Sequence, residues 1–247
     1  MNHRVYYAAE GGDALKFAAE ELAMRGLEVV DTPSPKVTHL LLGVPCRLES
    51  DRLEDLLGRL PLEVRIFGGF LDRAELKSYR CFDLLQDELY LAKNAAITAH
   101  CAMTLAAQRL PVVLEGCPVL VLGWGRIGKC LARLLKQAGA EVTVAVRKAS
   151  QHGMLEALEY EAEALPLSGY ILPRYRVIFN TVPAPVLSED MLAHCRPGCV
   201  KLELASVPGL EGKDVIQARG LPGKMAPESS GKLIARTVLR LSAQKEA

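Results

Sequence analysis

Three glycines, Gly123, Gly125 and Gly128, stand in G-x-G-x-x-G spacing inside the stretch from Val119 to Lys148. Each has a separate duty toward a phosphorylated ligand. Gly123 permits a tight turn out of an apolar strand. Gly125, lacking a Cβ, lets a pyrophosphate approach the backbone, and Gly128 lets the next helix pack closely on the strand. The helix N-terminus then offers free N–H groups and its positive dipole end to the phosphates. The spacing alone is a weak signal. Here a strand (Val119 to Leu122) precedes it, and an amphipathic helix and a second strand (Glu141 to Val146) follow, which is the context a dinucleotide-binding unit requires. The turn residues Gly123, Trp124, Gly125, Arg126, Ile127 and Gly128 are therefore the expected cofactor-binding set.

The end of the second strand decides between cofactors. An acidic residue there binds the ribose hydroxyls of NAD. This chain has Arg147 and Lys148 instead, with Ser150 after them, and no Asp or Glu lies between Val142 and Gln151. Two cations and a hydroxyl suit the 2′-phosphate of NADP, because charge-assisted hydrogen bonds to phosphate are strong and a carboxylate would repel it. NADP is the expected cofactor.

The composition bounds what surrounds this unit. The chain has 247 residues, half of them hydrophobic, enough for one large domain or two small ones. A formal net charge of +1 makes no general case for nucleic acid or a membrane surface. No apolar run approaches membrane-spanning length, and the start, MNHRVYYAAEGG, does not read as a signal peptide, so a cytoplasmic protein is expected. The seven cysteines form an odd, scattered set. Cys195 and Cys199 are the only close pair, no Cys/His ligand cluster accompanies them, and the expectation is reduced thiols, mostly in the core, with no metal.

The hydrophobic pattern predicts two Rossmann-like parallel-sheet α/β domains. An N-terminal flavodoxin- or Rossmann-like domain spans 1–86, with strands at Arg4 to Ala8, Leu27 to Val30, Thr38 to Gly43 and Glu63 to Phe67, and a fifth near Tyr79 to Leu84. Its first helix follows Gly11 and Gly12 with Asp13 as N-cap, and another covers Asp51 to Leu60. A long helix over 87–110 joins it to the cofactor domain, 111–225, and an interdomain cleft is expected beside that helix. Further elements are predicted near Met154 to Leu158, Glu159 to Ala162, Arg176 to Asn180, Glu189 to Cys195 (capped by Ser188), Val200 to Ala205 and Asp214 to Ala218. The glycine- and proline-rich GLPGKMAPESSG, Gly220 to Gly231, reads as a loop. The C-terminal segment, 226–247, holds a last helix over Lys232 to Leu241 that packs back across the boundary.

Several short stretches together resemble the dipicolinate synthase A family, whose cofactor domain is related to the D-2-hydroxyacid dehydrogenases and S-adenosylhomocysteine hydrolase. They are GGDA at Gly11 to Ala14, the cofactor stretch itself, FNTVP at Phe179 to Pro183, LELASVPG at Leu202 to Gly209 and GLPGKMAPESSGKLIA at Gly220 to Ala235. The resemblance implies oxidation of a dihydrodipicolinate-type dicarboxylate to dipicolinate in spore formation, with NADP as hydride acceptor. It also implies a flavoprotein-like second subunit, dipicolinate synthase B, as partner, and a homo-oligomer. Thr181, Val182 and Pro183 would then line the cofactor, with Ala205 and Ser206 beside the nicotinamide.

A dicarboxylate needs two anion sites, best built from cations, hydroxyls and backbone N–H groups. The segment from Gly220 to Gly231 supplies Lys224, Ser229 and Ser230, and Arg126 stands at the glycine turn. Thr98 and His100, late in the connecting helix, are expected to face the cleft. The family's Thr-x-Glu-Gly-type stretch stands here as Thr98-Ala99-His100-Cys101, so an imidazole with an ordinary pKa of about 6.5 takes the carboxylate's place as candidate general base. His100, Thr98 and Lys224 are the expected catalytic residues. Leu210 replaces a family glycine after LASVPG. Two other readings stand beside this one. The first is a non-catalytic protein that binds a dinucleotide in a regulatory role. The second is a divergent D-2-hydroxyacid dehydrogenase, whose catalytic histidine this chain lacks, since His194 is predicted in a helix and no histidine follows it.

Overall fold

The computed structural model describes residues 4–9 and 11–243. The chain divides into two compact units, Met1–Asn94 with Pro222–Ala247, and Ala95–Leu221. Each carries a parallel sheet.

The first unit contains β1 (Val5–Ala8), α1 (Asp13–Met24), β2 (Glu28–Val30), β3 (His39–Leu41), α2 (Ser50–Leu57), β4 (Arg65–Gly68) and β5 (Arg80–Asp83). The strand order is β2-β1-β3-β4-β5, all parallel. This is a doubly wound sheet whose connections reverse direction between β1 and β3. A row of rings crosses it: Tyr6 lies 4.6 Å from His39, His39 stacks on Phe67 at 5.8 Å, and Phe67 stacks on Phe82 at 4.7 Å. His39 is only 4 % exposed. Burial, with the charges of Arg4 and Arg65 adding to it, pushes its imidazole down to about 4. A cavity of 440 Å³ opens at the carboxyl ends of β1, β2 and β3, lined by Ala9, Pro33, Leu48, Asp51, Arg52 and Arg59 among others.

Two readings of this unit are corrected. Gly12, not Asp13, is the N-cap of α1; Asp13 occupies the first helical position and gives no side-chain cap bond. The segment Gly220 to Gly231 is not a loop. Gly220, with φ 66°, makes a turn, and α7 (Leu221–Met225) and α8 (Pro227–Ala243) follow almost at once. Prolines mislead here because Pro222 and Pro227 sit in first turns, where the missing N–H has no intrahelical partner to lose. Gly231 serves packing rather than looping. A Cβ on it would come within 2.5 Å of the Ala14 carbonyl oxygen, 2.6 Å of Phe17 Cβ and 2.8 Å of Ala18 N, so α8 lies directly against α1.

The long helix α3 (Glu88–Ala107) passes from one unit into the other. The second unit then runs β6 (Pro118–Leu122), α4 (Arg126–Gln137), β7 (Glu141–Val146), α5 (Ala149–Ala157), β8 (Glu161–Ala164), β9 (Val177–Asn180), α6 (Glu189–Leu192), β10 (Val200–Glu203) and β11 (Ile216–Gln217). Its order, β11-β10-β9-β6-β7-β8, is all parallel. Counted from β6, this is the 3-2-1-4-5-6 order of the Rossmann sheet, with the switch between β6 and β9. The central strands are buried on both faces, as covered parallel strands must be. α6 is shorter than predicted, and His194 lies beyond its end, with Nδ1 2.9 Å from the Asp190 carbonyl oxygen. Among the described residues no helix is long and apolar enough to cross a membrane.

Candidate functional site

At the switch of the second sheet, β6 leads into the glycine turn. Gly123 has φ 97°, and a Cβ there would meet Thr181 Oγ1 and Val182 Cγ2 at 2.8 Å. Gly128 is tighter still: its Cβ would stand 2.3 Å from the Gly123 carbonyl oxygen. Gly125 has open space where its Cβ would be. It is the N-cap of α4, without a side-chain cap bond, and the first turn holds no acid. The first N–H groups of α4 thus meet an open side with no capping carboxylate, as an incoming phosphate requires. Trp124 turns its ring onto Tyr160, 5.5 Å away and edge-on, so its side chain is spent on packing. Arg126 is exposed at the first position of α4.

The loop after β9 is bound to this turn. Thr181 Oγ1 donates to the Leu122 carbonyl at 2.8 Å, and Thr181 N to the same oxygen at 3.0 Å. The loop after β10 is drawn in by a group that sequence reasoning missed. Glu203, with no exposed surface, ends β10 and accepts hydrogen bonds from Asn180 Nδ2 at 2.9 Å, Ala205 N at 2.9 Å, Gly209 N at 2.7 Å and Leu210 N at 3.0 Å. Asn180, equally buried, completes the knot, donating to the Val182 carbonyl and accepting from Val182 N, both at 3.0 Å. One carboxylate thereby fixes both loops at the carboxyl ends of neighbouring strands. The glycine of LASVPG follows from it, since a Cβ on Gly209 would come within 2.4 Å of the Ala184 carbonyl oxygen and 2.6 Å of Asn180 Nδ2. Arg219, also unforeseen, donates from Nε to the Ala205 carbonyl at 3.1 Å. Ala205 is buried, while Ser206 and Pro183 are exposed. The signal for the knot was present: a Glu inside the apolar VKLELA and an Asn closing the apolar RVIFN are costly in a covered strand unless they bond to something.

The end of β7 is open and basic. Arg147, Lys148 and Ser150 are all exposed. Lys148 is the N-cap of α5, which again lacks a side-chain cap and any acid in its first turn.

The expected catalytic residues are placed less uniformly. Thr98 is buried and His100 exposed on α3, two positions apart. Successive helical residues turn by about 100°, so side chains two apart point in nearly opposite directions. The two side chains thus leave α3 on different sides, one inward and one to solvent. Lys224 is exposed on α7 and Ser229 is exposed in the first turn of α8. Ser230 is buried at 6 % exposure, on the helix that lies against α1, and does not present its hydroxyl to solvent.

No family model matches the chain. Dipicolinate synthase A of Bacillus subtilis (strain 168) is 28% identical over 214 residues, covering 78% of this chain and 70% of its own. The crystal structure of dipicolinate synthase A from Bacillus halodurans superposes with a TM-score of 0.84 at 20% identity, over 98% of this chain and 99% of that one. A transhydrogenase from Sinorhizobium meliloti gives 0.72 at 13% identity, over 96% and 93%. The chain is thus similar to dipicolinate synthase A, in sequence over most of its length and in fold over nearly all of it.

Proposed function

We propose that this chain is an NADP-dependent oxidoreductase of the dipicolinate synthase A kind, oxidising a dihydrodipicolinate-type dicarboxylate to the aromatic dicarboxylate. The observation that carries the reading is the Glu203 knot. It holds the LASVPG loop, one of the stretches behind the resemblance, at the same sheet end as the glycine turn. The fold shared with the transhydrogenase supports the reaction class, and the similarity to dipicolinate synthase A supports the substrate class.

The chain's own residues have distinct duties in this reading. The N–H groups of α4 hold the pyrophosphate, and Arg147, Lys148 and Ser150 take the 2′-phosphate. Thr181 and Val182 back the turn. Ala205 and Ser206, held by Glu203 and Arg219, border the nicotinamide, which when bound accepts the hydride. Aromatisation also releases a proton, and His100, the exposed member of the Thr98–His100 pair, takes it. Lys224 and Ser229 bind substrate carboxylates. The flavoprotein-like dipicolinate synthase B is the partner, spore formation the setting, and a homo-oligomer the working state. The separation of Thr98 from His100 around α3 favours one other reading, a dinucleotide-binding protein without catalysis of its own.

Fluorescence titration with NADPH and NADH tests the cofactor. NADPH binds at least about tenfold tighter, one lost phosphate contact being worth roughly 1.5–3 kcal/mol, and Arg147→Glu reverses the preference. Equal affinities refute NADP, and an unchanged ratio in the variant removes Arg147 from the site. Mixing the chain with NADP+ and freshly generated dihydrodipicolinate, with and without dipicolinate synthase B, tests the reaction through ultraviolet absorbance of the aromatic product. Binding without product under both conditions selects the non-catalytic reading.

A further inference from the structure

Past α6 the chain reverses in a compact turn. Cys195 N donates to the Leu192 carbonyl at 3.0 Å, and the turn Arg196-Pro197-Gly198-Cys199 is closed by Cys199 N donating to Arg196 O at 3.1 Å. Gly198 has φ 76°. Proline at the second position and a positive-φ glycine at the third are the residues of a type II turn, which holds its first and last Cα within about 7 Å. The reversal packs the two thiols that flank Arg196, Pro197 and Gly198 against one apolar cluster, Cys199 within it and Cys195 at its edge. Cys199 is 8 % exposed, while Cys195 is half-buried at the surface.

The surroundings favour a thiolate at the outer sulfur. The neighbouring Cys199 thiol favours it most, and the ammonium of Lys201, itself 5 % exposed and paired with Asp214, adds to this with His194. Together they hold Cys195 down at about 7 against burial and the Asp214 charge, and the same contact drives Cys199 upward. Burial raises the thiols of Cys81, Cys101 and Cys117 instead.

We propose that Cys195 and Cys199 form a dithiol site that a hydroperoxide oxidises to an intrachain disulfide, with Cys195 as the attacking and Cys199 as the resolving thiol. The Cys195 thiolate attacks one peroxide oxygen and the O–O bond breaks. Cys195 becomes a sulfenic acid, and the other oxygen leaves as alkoxide, or hydroxide from hydrogen peroxide, taking up a proton. The Cys199 sulfur then attacks the sulfenic sulfur. The S–S bond forms and hydroxide leaves with the Cys199 proton as water. Two thiols are oxidised by two electrons and one peroxide is reduced, giving disulfide, water and alcohol. This departs from the expectation of reduced thiols, mostly in the core, and it concerns the amino end of β10, opposite the carboxyl end where Glu203 sits.

The full-length protein is treated with one equivalent of hydrogen peroxide, then alkylated, digested and mapped by mass spectrometry. The expected product is a Cys195–Cys199 disulfide that dithiothreitol reverses. In Cys199→Ser the reaction stops at a sulfenic acid on Cys195 that dimedone traps. At pH 7, iodoacetamide modifies Cys195 about tenfold faster than Cys81, because a thiol held near 7 is about half ionised there while burial keeps that of Cys81 protonated. First oxidation at another cysteine, or over-oxidation of Cys195 in the unmutated chain without a disulfide, overturns the proposal. The unmutated map decides it even if a variant misfolds.

Discussion

Replacing Glu203 by glutamine exchanges one buried oxygen for an NH2 group, and the surroundings leave the amide no good orientation. Turned one way, the NH2 faces Gly209 N and Leu210 N; turned the other, it faces Asn180 Nδ2 and Ala205 N. In both cases two hydrogen bonds to a charged acceptor are lost, each worth about 1.5–3 kcal/mol. Water cannot replace them at a side chain with no exposed surface. Partial relaxation of the two loops brings the expected destabilisation to roughly 3–5 kcal/mol, a large share of the 5–15 kcal/mol by which a domain is ordinarily stable. Urea unfolding followed by tryptophan fluorescence reads it, since the single Trp124 stands in the glycine turn of the same unit. The fraction that remains folded binds NADPH more weakly, because the loops after β9 and β10 lose their common anchor. A variant destabilised by less than about 1 kcal/mol with unchanged NADPH affinity would refute the view that this carboxylate organises the site.

Gly128→Ala places a Cβ 2.3 Å from backbone that cannot step aside. α4 must shift off β6, and dinucleotide affinity falls at least about tenfold while overpacking costs about 1–3 kcal/mol, readable by titration and thermal melting. His39 gives a pH dependence. Its folded imidazole lies near 4 against 6.5 when unfolded, so between these values the unfolded chain binds more protons and stability falls as pH drops. The loss from this residue reaches roughly 2–3 kcal/mol at pH 4, and His39→Phe, which suits the ring row of Tyr6 and Phe67, flattens the melting-temperature profile between pH 6.5 and 4 by that amount. His100→Ala lowers turnover at least about a hundredfold, the lower end for a general base, with NADPH affinity unchanged. Unaffected turnover makes His100 a surface residue only.

The parallel sheets were legible because buried strands write long apolar runs, and THLLLG and VLVLG are such runs. The glycine turn was legible because its spacing, strand and helix are local. Asn180 and Glu203 were not, since their meaning arises from a pairing across two strands that sequence separates by 23 positions. The segment Gly220 to Gly231 misled for a related reason. Its prolines signal a break only when their place in a helix turn is unknown, and Gly231 is demanded by α1, more than 200 positions earlier. Thr98 and His100 show a different limit: residue type is read from the sequence, but that one is buried and the other exposed is set by the helix and its packing.

The close seating of Gly231 on Ala14 and Ala18 also bears on how the chain is made. The second unit is one continuous segment, whereas the first is assembled from two, separated by everything between Ala95 and Leu221. During synthesis at about 5–20 residues per second, α1 emerges before the second unit and α8 after it. The face of α1 that Gly231 covers therefore waits, uncapped, while the whole second unit emerges and becomes free to fold. The first unit is thus begun before the second and completed after it, with α8 as its clasp.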